Sequence, residues 1–510
     1  MFARINSMGL YGIDSYMVGV EVDFGQGGLP KVEIVGLPDT AVSESKNRVR
    51  SAIRNSGLYM PSSAITINLS PADVRKEGPV YDLPILVALL KAGNQINCDT
   101  NDSAFVGELS LDGLVRHING VLPMVIRARN SGIKNVFVPA ANANESSVVD
   151  GINVYGVENI RQLIDHLKGV EKLRPVEFNE NEEMRCHAPL PDFKDVMGQQ
   201  EAKYALEIAA AGGHNIIMVG PPGSGKSMLA KRLPSILPEM TFEESLATTE
   251  IYSIAGALPE GVSLIRERPF RSPHHTVSPA GLSGGGAVPR PGEISLAHNG
   301  VLFLDELPEF SRRSMEVLRQ PIEDGSVTIS RAAGSLTYPC SAMIVCAMNP
   351  CPCGYFGHPK KQCTCSPGSA RKYISKVSGP MLDRIDIHIE VPPVDFEKLS
   401  GKVPGESSAA IRERVKAARK IQNERLKGTP VTCNAKMDAA MTRQFCCPTP
   451  KAMVLLEQVF EKLDFSARSY DKILRVARTI ADLENSVNIE AEHIARAVQF
   501  RSLDRKFWNR

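Results

Sequence analysis

The chain has 510 residues, of which 43% are hydrophobic and 23% charged, and its formal net charge is +2. That length accommodates roughly three domains, and the composition excludes disordered and fibrous classes as well as a generally basic nucleic-acid-binding body. No leader pattern opens the chain and no apolar run reaches the ~18 residues of a membrane span, so the expected compartment is the cytoplasm, with the eleven cysteines reduced rather than paired.

Residues 1–168 alternate strand-like runs (16–22, 31–35, 64–69, 135–138) with helix-like ones (41–55, 83–92, 121–131). This predicts an α/β domain without a phosphate loop. Residues 169–190 mix Glu, Asn, Pro and Lys with little periodicity and read as a linker. The alternation returns over 191–394, an α/β nucleotide domain. After Pro392-Pro393, apolar residues recur at three and four over 409–426, 450–463, 469–484 and 491–500, so 395–510 reads as a helical lid.

Gly220-Pro221-Pro222-Gly223-Ser224-Gly225-Lys226-Ser227 fits G-x-x-x-x-G-K-[ST] at every fixed position. A buried strand-like run, 216–219, precedes it and a helix start follows. That is the context in which backbone N–H groups close around phosphate oxygens, Lys226 pairs with the β/γ-phosphates and Ser227 holds Mg²⁺. Val301-Leu302-Phe303-Leu304-Asp305-Glu306 reads as a second buried strand delivering two carboxylates at its C-terminal end. Asp305 is expected to complete the Mg²⁺ shell, and Glu306 to orient and activate the attacking water. A third strand, 342–348, ends at Asn349, whose amide can bond the γ-phosphate or the water.

With Gly379-Pro380-Met381-Leu382-Asp383-Arg384-Ile385-Asp386 added, this order of motifs resembles an AAA+ ATPase of the magnesium-chelatase-like branch. The resemblance implies that Arg384 is the finger reaching a neighbouring subunit's γ-phosphate. It implies that Arg468, in Ser466-Ala467-Arg468-Ser469-Tyr470, is the second sensor arginine of the lid. Active sites then lie between subunits of a homohexameric ring, and ATP and Mg²⁺ are the cofactors.

Residues 323–338 read as a turn, a strand, an exposed tip and a return. Such a hairpin lines the pore in the helicase-like clade, where Arg331 at the tip could track a DNA backbone. Residues 256–300 resemble that clade's other insertion and carry Arg266, Arg268, Arg271, His274, His275 and Gly284-Gly285-Gly286. Metal binding by His274-His275 is one reading, and loop packing the favoured one. The N-terminal domain resembles the proteolytic domain of Lon, with the ribosomal protein S5 domain 2-like fold, through Gly107-Glu108-Leu109-Ser110 and the run 128–139. Around Glu77-Gly78-Pro79-Val80-Tyr81-Asp82 no serine stands at the nucleophile position, and Val121-Leu122-Pro123 offers no lysine. The expectation is a protease-like scaffold without protease chemistry.

Cys351-Pro352-Cys353 and Cys363-Thr364-Cys365 place four thiols in a loop rich in Gly, Pro and Lys. A closed tetrahedral Zn²⁺ site is favoured over unligated thiols, since it would fold a loop too polar to build a core. Directly after Asn349, such a loop is placed to couple the nucleotide site to a DNA-facing surface. Together these features resemble the ComM/YifB family of magnesium-chelatase-like ATPases, which implies a ring helicase driving branch migration of recombination intermediates in natural transformation. The motor subunit of a metal chelatase and an ATP-driven protein remodeller stand as alternatives.

Overall fold

Val18, Val20 and Val22 are fully buried in one strand, as are Ile67 and Leu69 in another, with the half-buried Glu21 and Asn68 between successive members. That period of two makes one face of a sheet. Seven strands follow in the order Val32–Val35, Ile65–Ser70, Asp14–Phe24, Phe2–Tyr11, Ser103–Phe105, Asn135–Pro139 and Asn153–Val157. Phe2–Tyr11 and Asp14–Phe24 form an antiparallel hairpin, while the last three strands run parallel to Phe2–Tyr11. The helix Asp82–Ala92 is apolar all round and buried along nearly its whole length. At its first turn the Asp82 carboxylate takes two bonds from Arg48, at 2.7 and 3.0 Å, and one from the Leu109 N–H at 3.1 Å.

The computed structural model describes residues 1–25, 31–178, 190–286, 289–331, 334–393, 405–463, 466–501 and 503. They fall into two units, one of Met1–His187, Phe242–Ile265 and Ser330–Tyr338, the other of Ala188–Thr241, Arg266–Ile329 and Pro339–Arg510. Two boundaries read from the sequence shift accordingly. Residues 242–265, read as part of the nucleotide domain, belong to the first unit, because Leu246 and Leu264 pack into its core. The Gly120 N–H also donates to the Ser253 carbonyl at 3.0 Å. The first half of the stretch read as a linker is packed too: Leu173, Val176 and Phe178 lie against the same core. The rest of that stretch up to 189 lies outside the described residues.

In the second unit the five strands Phe270–Arg271, Val301–Leu304, Met343–Met348, Ile216–Val219 and Ile387–Glu390 lie in that order, all parallel. Each of the middle three is buried end to end, as expected of a sheet covered on both faces. The register sets Val219 beside Met348 and Leu304 beside Cys346, so the residues after all three strands emerge on one edge. The helices Ser408–Arg425, Ala439–Phe445, Pro450–Leu463, Ala467–Leu483 and Ala491–Gln499 share one hydrophobic core with this sheet. Their starts are written locally: Ser407, Asp438 and Ser466 each accept a backbone N–H as N-caps. Among the described residues no helix is long and apolar enough to cross a membrane.

On the helix Phe242–Ala255, burial raises the Glu250 carboxyl from 4.5 to about 7. Below pH 4.5 it is protonated whether the chain is folded or not. As pH rises from there to 7 the unfolded chain releases its proton first, so stability falls, by a total of about 3 kcal/mol. Glu250→Gln is therefore expected to raise the urea midpoint of the first unit at pH 8 and to leave it unchanged near pH 4. Parallel pH profiles for the two proteins would contradict this assignment.

Candidate active site

The strand Ile216–Val219 ends in a loop whose turns depend on glycine. Gly223 and Gly225 have φ of +77° and +89°, and a Cβ at Gly220 would fall 2.2 Å from the Val391 carbonyl oxygen. The helix Lys226–Arg232 follows, its first N–H groups without intrahelical partners. The buried Lys226 ammonium donates to the carbonyls of Gly220 and Pro221 at 2.8 and 3.0 Å and to Asn349 Oδ1 at 3.3 Å. Burial pushes its pKa down, and the carboxylates of Asp305 and Glu306 push back.

Ser227 Oγ donates to Asp305 Oδ2 at 2.6 Å, and Asp305 Oδ1 accepts the Glu306 N–H at 2.9 Å. Hydroxyl and carboxylate thus stand side by side, as a shared Mg²⁺ requires. Ser224 Oγ is buried in the loop without a hydrogen-bond partner. That orphaned hydroxyl, the glycine turns and the lysine form a donor set that fits a triphosphate. Glu306 adopts left-handed backbone, φ +53°, a strained conformation for a residue with a side chain. Its half-exposed carboxylate lies 3.4 Å from His275 Nδ1.

Of the residues singled out in the inserted region, several serve local structure. Arg271 makes a two-pronged pair with Glu293 at 2.7 and 2.8 Å. Arg268 donates to the carbonyls of Pro238 and Asn299 at 2.6 and 2.7 Å. His274 bonds Thr276 Oγ1 at 2.9 Å, and His275 turns to Glu306 instead of joining it at a metal. At the hairpin, Ser326–Arg331 and Gly334–Pro339 pair as two strands. The tip residues 332 and 333 and the side chain of Arg331 lie outside the described residues.

The structure brings Gly220 to Ser227, Asp305, Glu306 and Asn349 to one sheet edge, and it places the two arginines elsewhere. Arg384 Nη2 pairs with Glu323 Oε1 at 2.8 Å, and Arg468 Nη1 lies 3.8 Å from the same oxygen. They line a cleft of about 640 Å³ with Lys436, Lys472 and Arg475. Among the described contacts neither arginine reaches the phosphate loop. Beneath them Asp386 binds Lys472 at 2.8 Å, His214 Nδ1 at 3.4 Å and the Asn215 N–H at 3.2 Å. Burial alone would raise Asp386, but Lys472 and His214 hold it far below the usual carboxylate range. Burial lowers Lys472 to about 8 against the pull of Asp386. This pair ties the strand that follows Arg384 to the helix that carries Arg468.

Sequence reasoning did not find Glu323, nor Gln199, whose amide bridges the carbonyls of Ser224 and Pro392 at 3.2 and 2.6 Å. A glutamine just before a helix, with no periodic role, was the available signal for Gln199.

In the loop after Asn349, the sulfurs of Cys351, Cys353 and Cys363 stand 3.4, 3.7 and 3.5 Å apart. With Cys365 all four lie within 4.8 Å of one another. Four sulfurs ~2.3 Å from a central Zn²⁺ stand about 3.8 Å apart, whereas a disulfide needs about 2.05 Å. Backbone N–H groups of Phe356 and Cys353 donate to Cys351 and Cys365 Sγ at 3.3 and 3.4 Å, the outer-shell bonding that metal thiolates receive. Among the described residues this is the one cluster of three or more His, Cys, Asp or Glu side chains close enough to share a metal.

Comparison with known proteins gives family matches over three stretches of the chain. Residues 192–399 match the family described as magnesium chelatase, subunit ChlI, residues 20–142 match subunit ChlI of Mg-chelatase, and 405–501 match its C-terminal part. The chain is 43% identical over 505 residues to the uncharacterized protein YifB of Escherichia coli (strain K12), covering 98% of this chain and 97% of that protein. It is 40% identical over 508 residues to the competence protein ComM of Haemophilus influenzae, covering 99% and 98%. A shorter stretch of 124 residues is 31% identical to Lon protease 2 of Bacillus subtilis, covering 24% of this chain and 22% of that protein. The chain belongs to the ComM/YifB family of magnesium-chelatase-like AAA+ proteins.

Proposed function

We propose that the protein is an ATP-hydrolysing motor, assembled as a homohexameric ring, that moves branched DNA. The observation that carries the ATPase reading is the convergence of Lys226, Ser227, Asp305 and Asn349 through mutual hydrogen bonds at one sheet edge. Gly220, Pro221, Pro222, Gly223, Ser224, Gly225, Lys226 and Ser227 hold the triphosphate, with Ser227 and Asp305 on Mg²⁺. When bound, Mg-ATP supplies the phosphoanhydride to be cleaved and a cation that offsets its charge. Glu306 takes the proton of the attacking water, Asn349 orients that water or the γ-phosphate, and Lys226 stays on the phosphate oxygens.

Arg384 and Arg468 gather on Glu323, away from their own phosphate loop, which favours their serving the loop of a neighbouring copy. Hydrolysis then depends on assembly, because the cation that stabilises the developing charge comes in trans. The sulfur spacing favours a structural Zn²⁺ in the Cys351, Cys353, Cys363 and Cys365 loop.

The DNA reading draws on the full-length similarity to a protein named for competence and on the hairpin ending near Arg331. A chelatase motor is a second reading, favoured by the magnesium-chelatase family matches. The separating experiment follows a labelled three-stranded branched DNA with ATP and Mg²⁺. The wild type moves the branch, and branched or single-stranded DNA stimulates its hydrolysis, whereas Glu306→Gln leaves the branch in place. Wild-type hydrolysis without movement and without stimulation by DNA would overturn the DNA reading, and stimulation by chelatase partner subunits would establish the other.

A further inference from the structure

The loop holding the four cysteines is built against the phosphate loop. Cys351 follows Asn349 after a single residue, and it is fully buried. Gly354 closes a turn onto the Cys351 carbonyl with an N–H bond of 3.0 Å and takes a φ of +83°. A Cβ at Gly354 would lie 2.3 Å from Cδ and 2.6 Å from Cγ of Pro222, the third residue of the phosphate loop. Backbone therefore rests directly on the Pro222 ring, an approach that only glycine permits. Around this contact Gly220 and Pro221 face Pro350, Phe356, His358 and Pro359 across a gap of only about 40 Å³.

The segment between Cys351 and Cys365 contains no helix or strand, and most of it is exposed. It has no core of its own to hold its shape. Short-range bonds shape its turns, from the Gly354 N–H to the Cys351 carbonyl, the His358 N–H to the Tyr355 carbonyl and the Lys360 and Lys361 N–H groups to His358 Nδ1, while the described contacts that join its two ends run through the cysteine sulfurs. A metal in the cluster would therefore be what keeps Gly354 seated.

We propose that the metal-bound cysteine loop is the back wall of the phosphate loop, so that metal retention and nucleotide binding are reciprocally coupled through the contact of Gly354 with Pro222. This rests on the zinc reading given above. Metal loss would free the loop that leads out of Asn349 and remove the support behind Pro222. By the same linkage, a bound nucleotide that fixes Gly220, Pro221 and Pro222 would slow the metal's escape.

The test measures zinc content, affinity for a fluorescent ATP analogue, and the rate of zinc transfer to a colorimetric chelator. It compares full-length wild type, Gly354→Ala, Pro222→Ala and the double variant. Gly354→Ala keeps all four thiols and is expected to weaken nucleotide binding about tenfold. Removing the proline ring makes room for the added methyl group. The loss caused by Gly354→Ala should therefore be several-fold smaller in the Pro222→Ala background, although the backbone strain at 354 is the same in both. In the wild type, Mg-ATP should slow zinc transfer several-fold, an effect absent from Lys226→Ala.

Wild-type nucleotide affinity in Gly354→Ala, or an undiminished effect in the double variant, would overturn the coupling. If Gly354→Ala sheds its zinc, weakened nucleotide binding supports the proposal and unchanged binding overturns it. Wild-type protein purified under reducing conditions without zinc would remove the metal reading and the coupling with it. In that case the Gly354 and Pro222 cycle still reports whether the contact itself supports the loop.

Discussion

Glu306→Gln is expected to lower single-turnover ATP hydrolysis about 10²- to 10⁴-fold, the usual contribution of a positioned general base, while leaving ATP binding intact. Binding and chemistry separate here because the groups separate. The loop is held by the bonds of Lys226 to Gly220, Pro221 and Asn349 and by the Ser227–Asp305 pair, and none of these involves the Glu306 side chain. That side chain is half exposed and has His275 beside it. Glutamine is close in shape, so the left-handed backbone at 306 and the N–H bond to Asp305 persist. The amide cannot take a proton from water. Equilibrium binding of labelled ATP followed by rapid-quench hydrolysis measures both halves of the expectation. A rate within about threefold of wild type, where a true base loses at least 10², would remove Glu306 from its role.

Arg384→Ala is expected to be at least as severe, about 10³- to 10⁵-fold in turnover, again with ATP binding retained. Arg384 is mostly buried and pairs with Glu323, while its Nε is buried without a partner. The guanidinium is therefore pre-set, and little ordering is left for the moment of reaction. Lysine should restore little, because a point charge on a flexible stem does not reproduce the planar fork. Arg468 is largely exposed and lies farther from Glu323, so its loss should cost less. The Asp386–Lys472 pair beneath both arginines fixes their spacing, since it joins the end of one strand to the lid helix.

The parts of this site that were legible in the sequence are those whose meaning is local. Four-residue apolar strands before Gly220 and Asp305 and a six-residue one before Asn349 each announce their own ends. Those ends meet because parallel strands bring their C-terminal edges together. Four lid helices were readable to within a residue or two at both ends, since 3.6-residue periodicity and Ser caps are carried in adjacent residues, whereas the short Ala439–Phe445 was not read.

What could not be read depends on pairs far apart in the chain. Glu323 gathers Arg384 and Arg468 only once the sheet and the lid have packed. Asp386 meets His214 and Lys472 for the same reason, and Gly354 acquires its meaning only from Pro222. The assignment of residues 242–265 to the first unit is of this kind as well: Leu246 and Leu264 are apolar wherever they go, and only the fold says which core they enter. His275 was visible as a residue, but its partner Glu306 was not.

The central claim is that one chain supplies half of each active site and its neighbour the rest, and a mixing experiment tests it most directly. Lys226→Ala has a defective phosphate loop and sound arginines, Arg384→Ala the reverse, and each alone should be nearly inactive. In a random one-to-one mixture of the two, one interface in four joins a sound loop to a sound arginine, so hydrolysis should recover to about a quarter of the wild-type rate. If the variants co-assemble and the mixture stays as inactive as its components, Arg384 does not act across the interface and the shared site is wrong.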